Sequence, residues 1–187
     1  MNTFGWRRRS WIDCDRGRSA PDFARSGKPP YVPELVFDIK PDDPRRPDVV
    51  RLLQAHLDFA REWSEPENVH VFDAAELSSD AVQFFAARAE GRLLAVGALS
   101  PVEESHVEIK SMHTLEAARG QGVGWAMLER LVSTAYEQGC HRVSLETGTG
   151  KAFAPARRLY ARGGFKACPP FAEYRHCPDS ICMTRRI

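Results

Sequence analysis

The segment Ala118-Arg119-Gly120-Gln121-Gly122-Val123-Gly124-Trp125-Ala126-Met127-Leu128 carries three glycines at alternate positions and runs straight into an apolar pattern of helical period. Glycine admits positive φ and has no Cβ, so the stretch reads as a tight turn whose backbone N–H groups approach a neighbour closely. Val123, Met127, Leu128, Leu131, Val132 and Ala135 then recur at helical spacing up to Gly139, which suits a left-handed C-terminal cap. On the other side, Val107 to Thr114 alternates apolar and polar residues as a half-buried strand does. Strand, glycine turn and helix therefore follow one another, and the helix N-terminus offers donors and a positive dipole end to an anion.

The same glycines would serve a tight connection that binds nothing, so the type of phosphate motif matters. No Lys-Ser or Lys-Thr follows the glycines as in a P-loop, and the spacing of Gly120, Gly122 and Gly124 does not fit G-x-G-x-x-G. It fits R/Q-x-x-G-x-G/A, filled by Arg119, Gly122 and Gly124. Downstream, Ala156-Arg157-Arg158-Leu159-Tyr160-Ala161-Arg162-Gly163-Gly164-Phe165 fits A-x-x-L-Y-x-x-x-G-F. On these two motifs the chain resembles the GNAT N-acetyltransferase superfamily from about Glu34 to its C-terminus. The segments Glu-Ile-Lys-Ser-Met, Leu-Glu-Thr-Gly and Pro-Phe-Ala-Glu-Tyr are similar to those of a bacterial subgroup of small acetyltransferases.

The resemblance implies an α+β GNAT fold: a central mixed, mostly antiparallel sheet of six to seven strands, flanked by about four helices and splayed between strands 4 and 5. It also implies acetyl-coenzyme A as cosubstrate. Arg119, Gly120, Gln121, Gly122, Val123, Gly124 and Trp125 would surround its pyrophosphate, and backbone groups of Met112 and Thr114 its pantetheine arm and thioester. Tyr160 matches the tyrosine whose hydroxyl reaches the sulfur and protonates the departing thiolate. The family often has an asparagine three residues before the alanine of the second motif, where this chain has Phe153.

Glu108 lies eleven residues before Arg119, where histone-type members of the superfamily place a general base. Its neighbours Val107 and Ile109 suit a desolvated carboxylate with a raised pKa. Pairing of Glu108 with Lys110 along one strand face is the other reading, and both stand at this stage. Glu146 and His113 are further candidates. For the acceptor, the first helical region offers Trp63, Glu67 and His70, and the connection before Ser180 offers Phe171, Glu173, Tyr174, Arg175 and His176. Their mixture of aromatic and charged groups suits a small amine. A protein or peptide amine is the alternative acceptor, and a non-catalytic acyl-CoA sensor the alternative function.

The hydropathy pattern predicts a first strand over 31–40, a helix from Asp48 ended by Pro66 with Val49, Val50, Leu52, Leu53, His56, Leu57 and Ala60 as its buried face, and a shorter helix over 73–77. Val82–Ala89 and Arg92–Leu99 form a hairpin around Glu90-Gly91, with the strand at Glu108 as the next neighbour. A strand at His141–Glu146, a helix at Pro155–Arg162 and strands near Phe165–Cys168 and Ser180–Arg185 complete the chain. At 187 residues this is one domain, over 34–187, behind a basic extension over 1–33. That extension carries seven Arg or Lys against three Asp and no sustained apolar period, the composition of a disordered segment. No apolar run follows Arg7-Arg8-Arg9, which argues against export and membrane insertion.

The formal net charge is only +1, so the chain as a whole is not expected to bind nucleic acid or membranes. Five cysteines without a C-x-x-C pair, and scattered histidines, predict neither disulfides nor a metal site, and fit a cytoplasmic protein. Monomer and homodimer are both left open.

Overall fold

The computed structural model describes residues 35–63 and 74–187. The basic extension, the helix stop at Pro66, and Glu67, His70 and Asp73 lie outside the described residues. Residues 35–187 form one compact unit built on a seven-stranded sheet of order β1-β2-β3-β4-β5-β7-β6.

Strand β1 (Asp38–Pro41) leads to helix α1 (Pro47–Trp63). Pro47 fits the first helical position, where its missing N–H costs nothing, and Asp48 complements the positive end of the helix dipole. Arg88 on β2 (Gln83–Ala89) fixes that end to the sheet, with hydrogen bonds of 2.7 Å to Asp42 and 2.6 Å to Asp48. Val49, Leu52 and Leu53 then pack on Phe84, Ala86, Val96 and Ala98, on one face of the sheet. The second helix anticipated near Leu77 is a single 3-10 turn over Glu76–Ser78. Its few residues supply one buried anchor, Leu77, too little to hold a longer helix.

β2 turns into β3 (Arg92–Glu103) through Glu90 and Gly91, both at positive φ, as a two-residue hairpin turn requires. β3 pairs antiparallel with β4 (His106–Thr114). Helix α2 (Val123–Glu137) packs on the opposite face from α1, so close that a Cβ on Gly97 would sit 2.9 Å from Leu131 Cδ1. Gly139 closes α2 at φ +80°. Helix α3 (Ala154–Arg162) follows β5 (Arg142–Gly148), and the short β6 (Lys166–Ala167) and β7 (Ser180–Arg186) close the sheet.

Two irregularities of β4 position the site. β4 runs parallel to β5 through only three pairs, His106–Arg142, Val107–Val143 and Glu108–Ser144, and the strands part beyond them. The paired stretch is held by the His106 ring, 2.8 Å from Ser144 Oγ, which in turn donates to Thr184 Oγ1 at 2.8 Å. The second irregularity is a bulge at Ser111, whose φ is +49°. Ala98 opposes Lys110 while Val96 opposes His113, so the bulge carries one extra residue and reverses the alternation after it. The simple alternation read from Val107 to Thr114 is thereby corrected: Glu108, Lys110 and His113 share the α1 face.

Candidate active site

Where β4 and β5 part, two hollows lie side by side and share a wall. The first is a groove of about 350 Å³ whose wall includes Thr114, Arg119, Gly120, Gly124 and Trp125. The turn here is built as its glycines demand. Gly120 and Gly122 sit at φ +75° and +83°, where a side chain would be strained, and a Cβ on Gly124 would lie 3.2 Å from Thr114 Oγ1. Gly122 caps α2, and the first bond of that end is Ala126 N–H to the Gly122 carbonyl at 3.0 Å. The N–H groups of Val123, Gly124 and Trp125 precede it and are available to an anion. Val123 has its side chain in the core, so only its backbone can serve a ligand. Arg119 Nε donates to the Thr114 carbonyl at 3.2 Å, Gln121 Nε2 to the Ala117 carbonyl at 2.7 Å, and the Arg162 guanidinium lies 4.3 Å over the Trp125 ring.

The second hollow is a cavity of about 140 Å³ on the α1 face. Glu108 and Glu146 lie in its wall, and burial raises both carboxyl pKa values above the ordinary range. Glu108, 5% exposed, is engaged at Oε1 by the Tyr174 hydroxyl, which donates at 2.5 Å, and by Lys110 Nζ at 3.3 Å. Lys110 also donates to Tyr174 Oη at 2.5 Å, so one chain of donors runs from the ammonium through the phenol to the carboxylate. The base reading of Glu108 and its pairing with Lys110 are therefore compatible, since both contacts fall on Oε1. Burial, with the nearby Glu108, pushes the Tyr174 phenol far up, so it stays a donor.

Phe59, Met112, His113, Phe153, Ala156 and Tyr160 belong to the walls of both hollows. Tyr160, on the buried face of α3, is 7% exposed, and burial with the charge of Glu146 pushes its phenol up to about 12. Phe153, in the place of the anticipated asparagine, packs edge-on against Phe59 at 5.1 Å and over Gly148. It exchanges a polar contact for an apolar wall.

The fold thus gathers Glu108, Glu146, Tyr160 and Tyr174 at one cavity, and Met112, Thr114, Arg119, Gly120, Gly124 and Trp125 along one groove. Trp63 lies half exposed at the end of α1 and Glu173 is exposed on the connection before β7. Sequence reasoning missed Ser111 and placed His56 only on the buried face of α1. A histidine among apolar positions was the available signal for His56; the bulge at Ser111 gave none. Among the described residues no group of three or more His, Cys, Asp or Glu is placed to hold a metal, and no helix is long and apolar enough to cross a membrane.

Comparison with known proteins is consistent from family to fold. The model of the acetyltransferase (GNAT) family matches residues 49–165. The chain is 37% identical over 149 residues to the uncharacterized N-acetyltransferase YsnE of Bacillus subtilis (strain 168), spanning 80% of this chain and 99% of that one. A solved structure from Klebsiella pneumoniae, proposed to be an acyl-CoA N-acyltransferase, is 27% identical with a TM-score of 0.67, over 81% of this chain and 98% of that one. A Bacillus subtilis acetyltransferase solved in complex with CoA is 17% identical with a TM-score of 0.59, over 81% and 99%.

Proposed function

Given that this chain belongs to the acetyltransferase (GNAT) family and is an N-acetyltransferase, we propose that it transfers the acetyl group of acetyl-CoA directly to the primary amine of a small molecule, both substrates being bound at once. The observation that carries the reading is the wall common to the groove and the cavity, with Tyr160 in it. Two substrates bound in the adjoining hollows would meet there, with no covalent enzyme adduct required.

The groove fits the cosubstrate on its own geometry: two glycines at positive φ, a third where a Cβ would crowd Thr114 Oγ1 at 3.2 Å, and the N-terminus of a fifteen-residue helix. The N–H groups from Gly120 to Trp125 would hold the pyrophosphate, and backbone groups of the β4 segment at Met112 and Thr114 the arm leading to the fork. When bound, acetyl-CoA supplies an activated acyl group and a thiolate leaving group.

An alkylamine with a pKa of ~10 must lose a proton before it attacks. Glu108 Oε2 would accept it, and its raised pKa makes that carboxylate a stronger base than an exposed one. Tyr174 and Lys110 hold Oε1 and fix the carboxylate plane. Tyr160 keeps its proton at neutral pH, so its hydroxyl is a standing donor toward the fork. Full transfer from a phenol at about 12 to a thiolate, whose ordinary thiol pKa is ~8.5, is uphill by several kcal/mol. Its contribution is therefore a hydrogen bond that strengthens as charge grows on sulfur.

A cavity of about 140 Å³ suits a small acceptor rather than a folded protein surface. Mass spectrometry of the products formed from acetyl-CoA and a library of primary amines tests the reading. An acetamide formed from a small amine supports it, and acetylation confined to peptides or proteins would transfer the activity to the alternative acceptor class.

A further inference from the structure

Among the described residues, two side-chain atoms are buried without a hydrogen-bond partner: His56 Nδ1 and Ser111 Oγ. Both residues line the cavity assigned to the acceptor. Buried polar atoms are nearly always satisfied, so two orphans in one small cavity are a feature to be explained by what enters it. Neither residue is there by default. Ser111 occupies the bulge that re-aims β4, at a positive φ that serine rarely adopts. His56 projects from the buried side of α1, with its ring 4.7 Å from that of His113.

The chemistry of this pair differs from that of Glu108 and Glu146. Burial and the neighbouring His113 keep the His56 imidazole neutral, at a pKa of about 3. His113 is neutral as well, at about 4, through burial and the charge of Arg119. A neutral imidazole nitrogen and a hydroxyl suit a group that both gives and accepts hydrogen bonds without carrying charge. A ligand carboxylate beside them would be buried with no cation of its own, because the cavity's Lys110 is already bound to Tyr174 and Glu108. A methyl would leave both orphans unmet. A cavity of about 140 Å³ approaches the ~150 Å³ that accommodates a benzene ring, which sets the buried part of the ligand at roughly six to eight heavy atoms.

Resting on the reading of this cavity as the acceptor site, we propose that the acceptor is a bifunctional amine, and that His56 Nδ1 and Ser111 Oγ hold its second, uncharged polar group, a hydroxyl or a carboxamide. The carboxylates receive the amine at one part of the wall and this pair reads the other. Specificity then comes from the group the amine carries.

Four probes of nearly equal length separate the possibilities: 4-aminobutan-1-ol, 4-aminobutanamide, pentylamine and 4-aminobutyrate. Acetyl transfer is followed with the full chain, its Ser111→Ala variant and its His56→Leu variant, and acetyl-CoA affinity is measured on each by calorimetry. The alcohol or the amide is expected to exceed both pentylamine and 4-aminobutyrate in kcat/KM by at least ~10-fold in the unaltered chain. Each variant should erase that margin through the KM of the alcohol and the amide, leaving acetyl-CoA affinity unchanged. Ser111→Ala removes one oxygen without disturbing the backbone, and it keeps the test in force where His56→Leu melts early. Equal kcat/KM for alcohol and alkylamine, or variants that slow all four alike, would overturn the assignment. So would acetyl-CoA binding with none of the four acetylated. Loss of acetyl-CoA binding by the unaltered chain would instead refute the acetyltransferase site itself.

Discussion

Glu108 and Lys110 pose a question that a single substitution cannot answer, because each is both a partner of the other and a wall of the cavity. The two residues are 5% and 8% exposed, with Nζ and Oε1 3.3 Å apart. Glu108→Gln leaves an ammonium buried beside a neutral amide, and breaking a buried pair in this way costs about 3–5 kcal/mol. Here Tyr174 still binds Lys110 and Glu146 still acts on the site, so about 2–3 kcal/mol is expected. For a chain of this size that lowers Tm by about 4–12 °C. Lys110→Met should cost a similar amount, since it leaves the carboxylate without its cation. The double variant Glu108→Gln/Lys110→Met removes both charges and should return to within about 1 kcal/mol of the parent. Its kcat should stay at least ~100-fold down, because loss of a general base is not repaired by neutralising its partner. Thermal unfolding and acetyl-transfer rates on the four proteins form one cycle. Recovery of activity together with stability in the double variant would refute the base assignment and leave Glu108 as half of a structural pair.

Three further outcomes follow from the geometry. Tyr160→Phe should lower kcat by about 10–100-fold while calorimetry finds acetyl-CoA affinity unchanged, as expected for a donor that acts on developing charge; equal rates would reduce Tyr160 to a packing role. Gly122→Glu sets a bulky anion at φ +83° on the end of α2 and should abolish acetyl-CoA binding in a protein whose circular dichroism is preserved; unchanged affinity would remove the cosubstrate from this turn. His56 and His113, at about 3 and about 4, lie below the ~6.5 of an unfolded histidine, so their contribution is complete above pH 6.5 and is lost as pH falls from there toward 3. At pH 5 this amounts to about 1–2 kcal/mol per histidine, and His56→Leu should make the fall in Tm between pH 7 and 5 shallower; an unaltered slope would contradict the buried neutral pair.

The parts of this site that depend on local sequence were legible before the fold. The turn from Arg119 to Trp125 declares itself because its glycines have conformations that other residues resist, and Tyr160 because it sits in a helical motif of fixed spacing. The mixed, mostly antiparallel sheet and the β4–β5 fork followed from the resemblance those motifs carry. What depends on one extra residue in a strand was not legible. Alternation read from Val107 onward sends His113 to the face opposite Glu108, and only the bulge at Ser111 brings it back, against His56. Lys110 was legible as a neighbour of Glu108, but its bond to Tyr174, sixty-four residues away, arises from the fold of the segment before β7. His56 looked like one more residue of a buried helical face, and a sequence does not say which buried polar atoms lack a partner.

Release of free thiol from acetyl-CoA by the unaltered chain, with and without small primary amines, bears most directly on the central claim. Thiol release that requires the amine, and saturates with both substrates, is the predicted result. Binding of acetyl-CoA without amine-dependent release across small amines, peptides and proteins would contradict it and leave the groove as the site of a sensor.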